Sequence, residues 1–343
     1  MSFPTTTHAL SLSRVTGLCI EDPEDEKANL ALILDRYKGS ITSLPKEKGW
    51  LTESLYMYQG HWFPSNNLIS IGTVMASQEV FQANPTDIYL VTPPKSGTTW
   101  LKALAFAILN RKRYTNISTH PLLIFNPQDC LPYIENEILR NKPTYMDANS
   151  TRLFATHMPY TSLPQFILDS RCRLVYMCRN PKDVLVFMFH FVNKLRDKSL
   201  DRITLEEAFE MFSKGITPCG PYWDHVKGYH AASVKHPTQV LFLPYENMKM
   251  DTANNVRRLA DFLGYPFTVE EEAKGAVQEI VSLCSFKNLT DANRHGNIRE
   301  GLPKEAFFRE GKVGDWSKHL TNEMSQILDG ITKEKFNGLD ISF

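Results

Sequence analysis

The fold of this chain is decided by the segment Ile88–Trp100, which reads IYLVTPPKSGTTW. Its first four residues are all apolar or aromatic, a pattern typical of a strand covered on both faces, and two prolines then end it. Apolar residues recur at helical spacing from position 100 to position 109. The segment therefore predicts a buried strand that turns through a short loop into a helix.

The loop of this segment predicts a phosphate or sulfate site. Ser96, Gly97, Thr98 and Thr99 occupy the predicted helix N-terminus, where backbone N–H groups are unpaired and the helix dipole is positive. Lys95 adds a point charge, and the hydroxyl groups add donors for an anion. The alternative is that these residues form merely a turn and a helix cap.

The order of these residues differs from that of the nucleotide triphosphatase loop. That loop needs a Gly-Lys-Ser/Thr end and a Mg²⁺-binding aspartate after another strand. In this chain Lys95 precedes Gly97 by two positions, and the later apolar run 174–178 ends in Arg179 rather than in an acid. The sequence therefore predicts an anion site without a metal, and a P-loop kinase is the least favoured alternative.

Apolar runs alternate with helical stretches, which predicts an α/β fold with a mostly parallel central sheet flanked by helices. The runs 88–91, 174–178 and 240–243 are each followed by polar residues. Since ligands bind at the carboxyl ends of parallel strands, these residues are predicted to share one sheet edge. Leu153–Ala155 is a further apolar run, and it leads to His157.

No linker divides the chain, so residues 41–343 are predicted to form a single domain. Residues 1–40 are predicted to be a flexible tail, although the Ser/Thr-rich first twenty also weakly resemble an organelle transit peptide. The predicted helices of the second half are 205–212, 254–263 and 269–283, with Gly264 as the C-cap of the second.

Composition favours a cytoplasmic enzyme that binds neither nucleic acid nor membrane. Lys plus Arg and Asp plus Glu are equal at 38 each, so anion binding must be local. No stretch approaches 18 apolar residues, and the first twenty residues lack the apolar core of a signal peptide. The six cysteines show no CxxC pair or zinc spacing and are predicted to be reduced thiols.

Three separated motifs carry a resemblance to a known family. Residues 95–100 resemble the 5′-phosphosulfate loop of cytosolic sulfotransferases, 179–183 resemble their 3′-phosphate turn, and 309–316 resemble their C-terminal Arg-Lys-Gly…Gly-Asp-Trp segment. Residues 44–50, LPKEKGW, are similar to the opening of plant members. The chain is thus identified as a member of the soluble plant type, from about Leu44 to its C-terminus.

The resemblance implies transfer of a sulfuryl group from 3′-phosphoadenosine 5′-phosphosulfate (PAPS) to a hydroxyl of a small metabolite. It assigns His157 as the general base and Lys95 as the cation that stabilises the leaving phosphate; taken alone, a histidine after an apolar run is more often structural. Trp100 and Phe286 are assigned to the adenine, with core packing as the alternative. The other residues implied at the donor are Lys95, Ser96, Gly97, Thr98, Thr99, Arg179, Phe187, Tyr245, Arg309, Glu310 and Gly311.

Two residues depart from the family pattern at the implied 3′-phosphate site. Phe187 stands where the family has a serine, so a donor is lost, and Glu310 replaces the lysine of Arg-Lys-Gly. A carboxylate that faces the phosphate would cost about 1 kcal/mol or more, whereas one turned to solvent would be screened. The departures predict weaker donor binding, and they keep open the alternative of a nucleotide-binding relative with impaired catalysis.

The acceptor class is implied by the resemblance alone: a flavonol, steroid, hydroxyjasmonate or desulfated thioglucoside. The family's dimer motif is not matched by residues 317–322, so a monomer is favoured. Aromatic residues offer candidate pocket walls, although such clusters occur in any core. These candidates are Trp62, Phe63, Phe187, Phe189, Tyr222 and Trp223.

Overall fold

The computed structural model describes residues 23–65, 69–139, 151–291 and 306–343. Its strands are β1 Lys46–Lys48, β2 Ser54–Tyr58, β3 His61–Pro64, β4 Ile88–Val91, β5 Leu153–Thr156, β6 Arg173–Cys178 and β7 Val240–Pro244. The last four form a parallel sheet in the order β5-β4-β6-β7, and the first three form a small antiparallel sheet. The predicted α/β fold with a parallel central sheet is confirmed.

The four strands of the parallel sheet are buried on both faces. In β4, Tyr89 and Val91 belong to one hydrophobic cluster, whereas Ile88 and Leu90 belong to the cluster on the opposite face. Successive side chains of a strand point to opposite faces, so a continuous apolar run is what a two-sided core requires. Val91 pairs with both Thr156 and Tyr176, so the ends of β4, β5 and β6 lie side by side.

Helices cover this sheet and connect its strands. They are α1 Pro23–Thr42, α2 Ile71–Val80, α3 Thr98–Asn110, α4 Pro127–Cys130, α5 Ile134–Glu137, α6 Gln165–Asp169, α7 Pro181–Leu195, α8 Leu205–Ser213, α9 Tyr222–Lys235, α10 Tyr245–Met250, α11 Thr252–Leu263, α12 Val269–Ala273, α13 Ala276–Leu283, α14 Phe286–Thr290 and α15 Asn322–Lys335. The predicted helices 205–212 and 254–263 are confirmed as α8 and α11. No helix in the described part of the chain is long and apolar enough to span a membrane.

Two predictions about helices need correction. The predicted helix 269–283 is interrupted, because Gly275 takes the left-handed conformation between α12 and α13. Residues 1–40 were predicted to be a flexible tail, but residues 23–40 belong to α1, which packs on α2. Residues 1–22, including the segment that weakly resembles a transit peptide, lie outside the described residues. Gly264 caps α11 in the left-handed conformation, as predicted.

The five cysteines in the described residues are free and buried: Cys130, Cys172, Cys178, Cys219 and Cys284. This agrees with the prediction of reduced thiols, and Cys19 lies outside the described residues.

Candidate active site

A cavity of about 780 Å³ lies at the carboxyl ends of the parallel strands. Its walls include a residue from the segment after each strand: His157, Arg179 and Tyr245 directly follow β5, β6 and β7, and Lys95 lies in the loop after β4. β5 lies on one side of β4, whereas β6 and β7 lie on the other, so the strand order changes direction next to β4. Ligands bind at such a switch point in open α/β folds. The sheet thus brings the predicted motifs into one cavity.

The loop after β4 approaches its neighbours too closely for any side chain at its centre. Gly97 is the N-cap of α3 and has a φ of 110°. A Cβ atom there would lie 2.9 Å from Met177 Sδ and 2.9 Å from Tyr245 Cδ2. Glycine is therefore required both for the backbone conformation and for the close packing. Lys95 also has a positive φ, 66°, which turns the loop at the cavity wall.

His157 is held in one tautomer by the backbone. Its Nδ1 lies 2.7 Å from the carbonyl oxygen of Thr92, and a carbonyl can only accept, so Nδ1 carries the proton. The Nε2 atom is consequently unprotonated, and the residue lines the cavity. The Thr92 hydroxyl lies 2.6 Å from that of Thr98, so the same residue joins the histidine to the start of α3. The geometry is that of a candidate base beside an anion loop.

Burial lowers the pKa of His157 to about 3, and the charges of Lys95 and Lys102 contribute to the decrease. Burial also lowers the pKa of His225 to about 3. His225 supports the site from behind, because its Nε2 lies 3.0 Å from the carbonyl oxygen of His157. Both imidazoles are neutral at pH 7 in the folded protein.

Lowering the pH from 7 to 5 is therefore expected to destabilise the folded protein. The unfolded chain titrates its imidazoles near pH 6.5, so below this pH it binds protons that the folded state does not bind at His157 and His225. At pH 5 the difference lowers the free energy of unfolding by about 2 kcal/mol for each histidine. Urea unfolding at pH 7 and pH 5 measures the decrease.

A matched pair of variants assigns this pH dependence. The decrease for His157→Ala is expected to be about 2 kcal/mol smaller than that for wild type, because the neutral imidazole of His157 is gone. His236→Ala, at a residue that is not part of the cavity wall, provides the control for the loss of an imidazole elsewhere in the chain. An equal decrease in wild type and His157→Ala would contradict the assignment.

A buried polar network lies behind His157. Tyr133 Oη is 3.5 Å from His157 Nε2 and 3.2 Å from Gln128 Oε1. Lys102 Nζ donates to the same Gln128 oxygen at 2.8 Å and lies 3.8 Å from the centroid of the Tyr133 ring. Gln128 Nε2 donates to the hydroxyl of Thr99 at 2.8 Å, so the network returns to the anion loop.

The implied 3′-phosphate residues meet where α7 begins. Arg179 Nη2 donates to the Lys312 carbonyl oxygen at 2.6 Å and pairs with Asp183, whereas Arg309 pairs with Asp315. The Nε atoms of both arginines are buried and have no hydrogen-bond partner among the described residues. Buried donors of this kind normally have partners, so the two arginines retain capacity for an anion.

Aromatic rings also line the cavity, close to Arg179. Trp100 and Tyr245 contact each other edge to face, with centroids 5.3 Å apart. Gly311 has a φ of 64°, and a Cβ atom there would lie 2.4 Å from Phe286 Cδ2. Only glycine therefore lets the backbone of the C-terminal segment approach this ring. Flat aromatic faces next to two arginines suit a nucleotide base with a nearby phosphate.

The charge of the cavity is strongly one-sided although the whole chain is neutral. Five cations and no carboxylate line it among the residues that the structure describes. These cations are Lys27, Lys95, Arg179, Lys249 and Arg309. Cations in a cleft with low-dielectric walls raise the local concentration of anionic ligands. The predicted local anion site therefore has its electrostatic basis in the cavity wall.

The cavity wall includes most, but not all, of the residues predicted at the donor. Those in the wall are Lys95, Gly97, Thr98, Thr99, Trp100, Arg179, Phe187, Tyr245, Phe286, Arg309 and Gly311. Ser96 is buried outside the wall, and its hydroxyl has no hydrogen-bond partner among the described residues. Glu310 is also outside the wall, because its side chain is exposed and pairs with Lys312 at 3.4 Å. Its charge is thus screened and locally compensated.

Most of the aromatic candidates for the acceptor wall, none of which the sequence assigned individually, lie outside the cavity wall. Phe187 lines the cavity, but Trp62, Phe63, Phe189, Tyr222 and Trp223 do not. Trp223, for example, is buried against Phe212 instead. The cavity wall also includes residues from segments remote in sequence, such as Leu30 of α1 and Leu51. Aromatic character alone did not distinguish a cavity wall from the core.

Several residues of the site were missed at the sequence level. Lys102 is a single charge within the apolar run of α3, which was a usable signal of a buried polar contact. Phe191 follows Phe187 by one helical turn, so it was also predictable as a neighbour. Gln128 lies in the short helix α4, Tyr133 lies just before the short helix α5, and Phe307 reaches the cavity from the C-terminal segment. For these three the sequence offered no local signal.

Comparison with known proteins agrees with this geometry. The sequence profile of the family described as "Sulfotransferase domain" matches residues 85–340. Flavonol 4′-sulfotransferase of Flaveria chlorifolia is 45% identical over 294 residues, 84% of this chain and 90% of that protein. Cytosolic sulfotransferase 13 of Arabidopsis thaliana is 42% identical over 306 residues, 88% of this chain and 92% of that protein.

A solved structure shows the same architecture. The crystal structure of mouse sulfotransferase SULT7A1 complexed with PAP superposes with a TM-score of 0.62 at 28% sequence identity, and the match covers 83% of this chain and 95% of that chain. The similarity thus extends through sequence and fold over most of the chain.

Proposed function

This chain belongs to the sulfotransferase family, and we propose that it transfers the sulfuryl group of PAPS to a hydroxyl group of a small metabolite. The observation that carries the proposal is the shared cavity. It is lined by Lys95, two arginines and His157, whose Nε2 is unprotonated, and no described carboxylate lines it. An anionic donor and a neutral hydroxyl are the reactants that such a wall accommodates.

The residues present fit an adenine nucleotide that carries anionic groups at two positions. Arg179 Nε and Arg309 Nε are buried without a hydrogen-bond partner among the described residues, and both arginines line the cavity, so donor capacity is available there. Gly97 and Gly311 keep side chains away from the two loops that would approach the ligand. Trp100 and Phe286 offer ring faces between these loops.

His157 would act as the general base of the reaction. When bound, PAPS supplies the sulfuryl group and leaves as 3′-phosphoadenosine 5′-phosphate (PAP). The unprotonated Nε2 of His157 takes the proton of the acceptor hydroxyl, while Thr92 holds the ring through Nδ1. Since the charge of Lys95 helps to keep the pKa of His157 low, an anion that neutralises Lys95 makes the histidine a stronger base.

Lys95 would stabilise the negative charge that develops on the departing phosphate. Its side chain lines the cavity beside the N-terminus of α3, where Gly97 and Thr98 present backbone N–H groups. Preorganised donors of this kind contribute about 3 to 4 kcal/mol each when charge develops in a site that excludes water. None of these residues needs a metal for its role, so we propose a metal-independent reaction.

Apolar residues also line the cavity, which suits a hydroxylated metabolite such as a flavonol or a steroid. They include Leu30, Leu51, Ile69 and Val192. A hydroxyjasmonate or a desulfated thioglucoside stays a candidate as well. Because the relatives from Arabidopsis thaliana are named cytosolic, we propose a cytoplasmic location; the monomeric state remains a prediction.

Transfer of labelled sulfate from PAPS to a panel of hydroxylated plant metabolites tests the function. Turnover in wild type that survives EDTA would support metal-independent sulfuryl transfer and would name an acceptor class. Titration with PAP in the same buffer distinguishes the possible reasons for an absence of turnover. Tight binding without turnover would direct the search to other acceptors or to an impaired enzyme, whereas absence of both would contradict the proposal.

Phe187→Ser is expected to tighten PAP binding by about tenfold, because a hydrogen bond to a charged group contributes about 1.5 kcal/mol or more. Glu310→Lys should change the affinity by less than about threefold, since the exposed Glu310 already pairs with Lys312. Calorimetric titration of both variants checks this order. A larger gain from Glu310→Lys than from Phe187→Ser would contradict it.

A further inference from the structure

Three phenyl rings surround the ammonium group of Lys95. Its Nζ lies 2.8 Å from the centroid of the Phe191 ring, 5.0 Å from that of Phe307 and 5.3 Å from that of Phe187. All three distances are within the range over which a cation interacts with an aromatic ring. Among the described residues, none accepts a hydrogen bond from Nζ.

The rings come from two elements that converge on the loop. Phe187 and Phe191 are one turn apart on α7, so their side chains lie on the same face of that helix. Phe307 belongs to the C-terminal segment and contacts Phe191 edge to face, with centroids 5.6 Å apart. The ring of Phe187 is also 5.8 Å from Arg309 Cζ. This arrangement is a built site for a cation rather than a single chance contact.

We propose that Phe187, Phe191 and Phe307 form an aromatic cage that holds the Lys95 ammonium by cation–π contacts in the donor-free enzyme. The cage positions the cation at the cavity wall. Its rings offer no hydrogen-bond acceptor, so an anion that enters the cavity competes for the ammonium with ring faces alone. The release step rests on the proposed function, whereas the cage itself does not.

Burial and one like charge both disfavour the protonated form of the Lys95 ammonium group. Burial is the main cause that lowers the pKa of Lys95 well below its usual value, and Lys194 lowers it further. Ring faces act in the opposite sense, since they stabilise the protonated form. The cage is therefore expected to raise the pKa of Lys95 against the effects of burial and of the like charge.

Nuclear magnetic resonance of donor-free protein labelled with [ε-¹³C]lysine tests the cage directly. The Lys95 signal, assigned with Lys95→Met, is expected at an upfield ¹H shift because Nζ lies close to the face of a ring. Phe191→Leu should remove most of that shift. Addition of PAP should also remove it, because the ammonium then leaves the rings.

Graded fluorination of Phe191 separates cation–π stabilisation from packing. Replacement of Phe191 by trifluorophenylalanine keeps the shape of the ring but removes electron density from its face. The titration midpoint of Lys95 is expected to fall by about one pH unit, which corresponds to the energy of a desolvated cation–π contact. The same replacement at Phe189, which is on α7 but outside the cavity wall, provides the control and should leave the midpoint unchanged.

The outcomes are distinct. A Lys95 signal without an upfield shift, or a midpoint that does not respond to fluorination of Phe191, would overturn the cage. An upfield shift that persists in enzyme saturated with PAP would overturn the release step. Failure of PAP to bind at all would count against the proposed function but would leave the measurements on the donor-free cage intact.

Discussion

Replacement of His157 by alanine is expected to lower kcat by about 10²- to 10⁴-fold, which is the range that a positioned general base contributes. The structure gives two reasons. Nδ1 is committed to the Thr92 carbonyl oxygen, so Nε2 is free to accept a proton, and the residue lines the cavity that also contains Lys95. Steady-state rates with PAPS and the best acceptor measure the loss.

The interpretation of this variant depends on binding being preserved. His157 makes its supporting contact with His225 through its backbone carbonyl oxygen, which alanine retains, so the affinity for PAP should change by less than about threefold. His236→Ala controls for the loss of an imidazole elsewhere and should leave kcat unchanged. A His157→Ala enzyme with a near wild-type kcat would exclude the residue as the base.

Lys95→Met is expected to lower kcat by about 10²- to 10³-fold and to weaken PAP binding by about tenfold or more. Methionine keeps an unbranched apolar side chain against the rings of the aromatic cage but removes the charge and the donors. A defect that weakened the ground state and the transition state equally would leave kcat unchanged. The loss of kcat is expected because the charge on the phosphate is greatest as the bond to sulfur breaks. Initial rates and PAP titration together measure both effects.

Two further variants define what the site requires of this cation. Lys95→Arg should not restore activity, because ring centroids 2.8 to 5.3 Å from Nζ leave little room for a planar guanidinium. Lys249→Met removes another cation of the same cavity, one that lies 5.5 Å from the Trp100 ring, and should change kcat by less than about threefold. Equal losses in Lys249→Met and Lys95→Met would refute a specific role for Lys95.

The fold was largely predictable because its strands are continuous apolar runs. Ile88–Val91 is buried on both faces of the sheet, and such a run has few alternatives to a central parallel strand. The helix 269–283 was not predicted correctly, because its apolar period continues through Gly275 while the backbone does not. Periodicity reports which face is buried, and it is less sensitive to a single residue with positive φ.

The candidate site was predictable where a residue lies in the segment that follows a strand. Lys95, His157, Arg179 and Tyr245 all lie at strand ends, so parallel topology alone brings them to one edge of the sheet. Glu310 shows the limit of this reasoning. Its sequence position indicated a charge near the phosphate, but only the fold shows its side chain paired with Lys312 away from the cavity.

The sequence by itself determined which apolar runs form the parallel strands along the chain, which residue types follow them, and the family. Each of these depends on short contiguous patterns. The tertiary structure decided which side chains share a cavity when they are remote in sequence. It placed Leu30 of α1 in the wall, and it brought Phe307 to Phe191 and Lys95. Contacts of this kind depend on how helices and loops pack over the sheet, and no local sequence pattern shows which remote residues will be in contact.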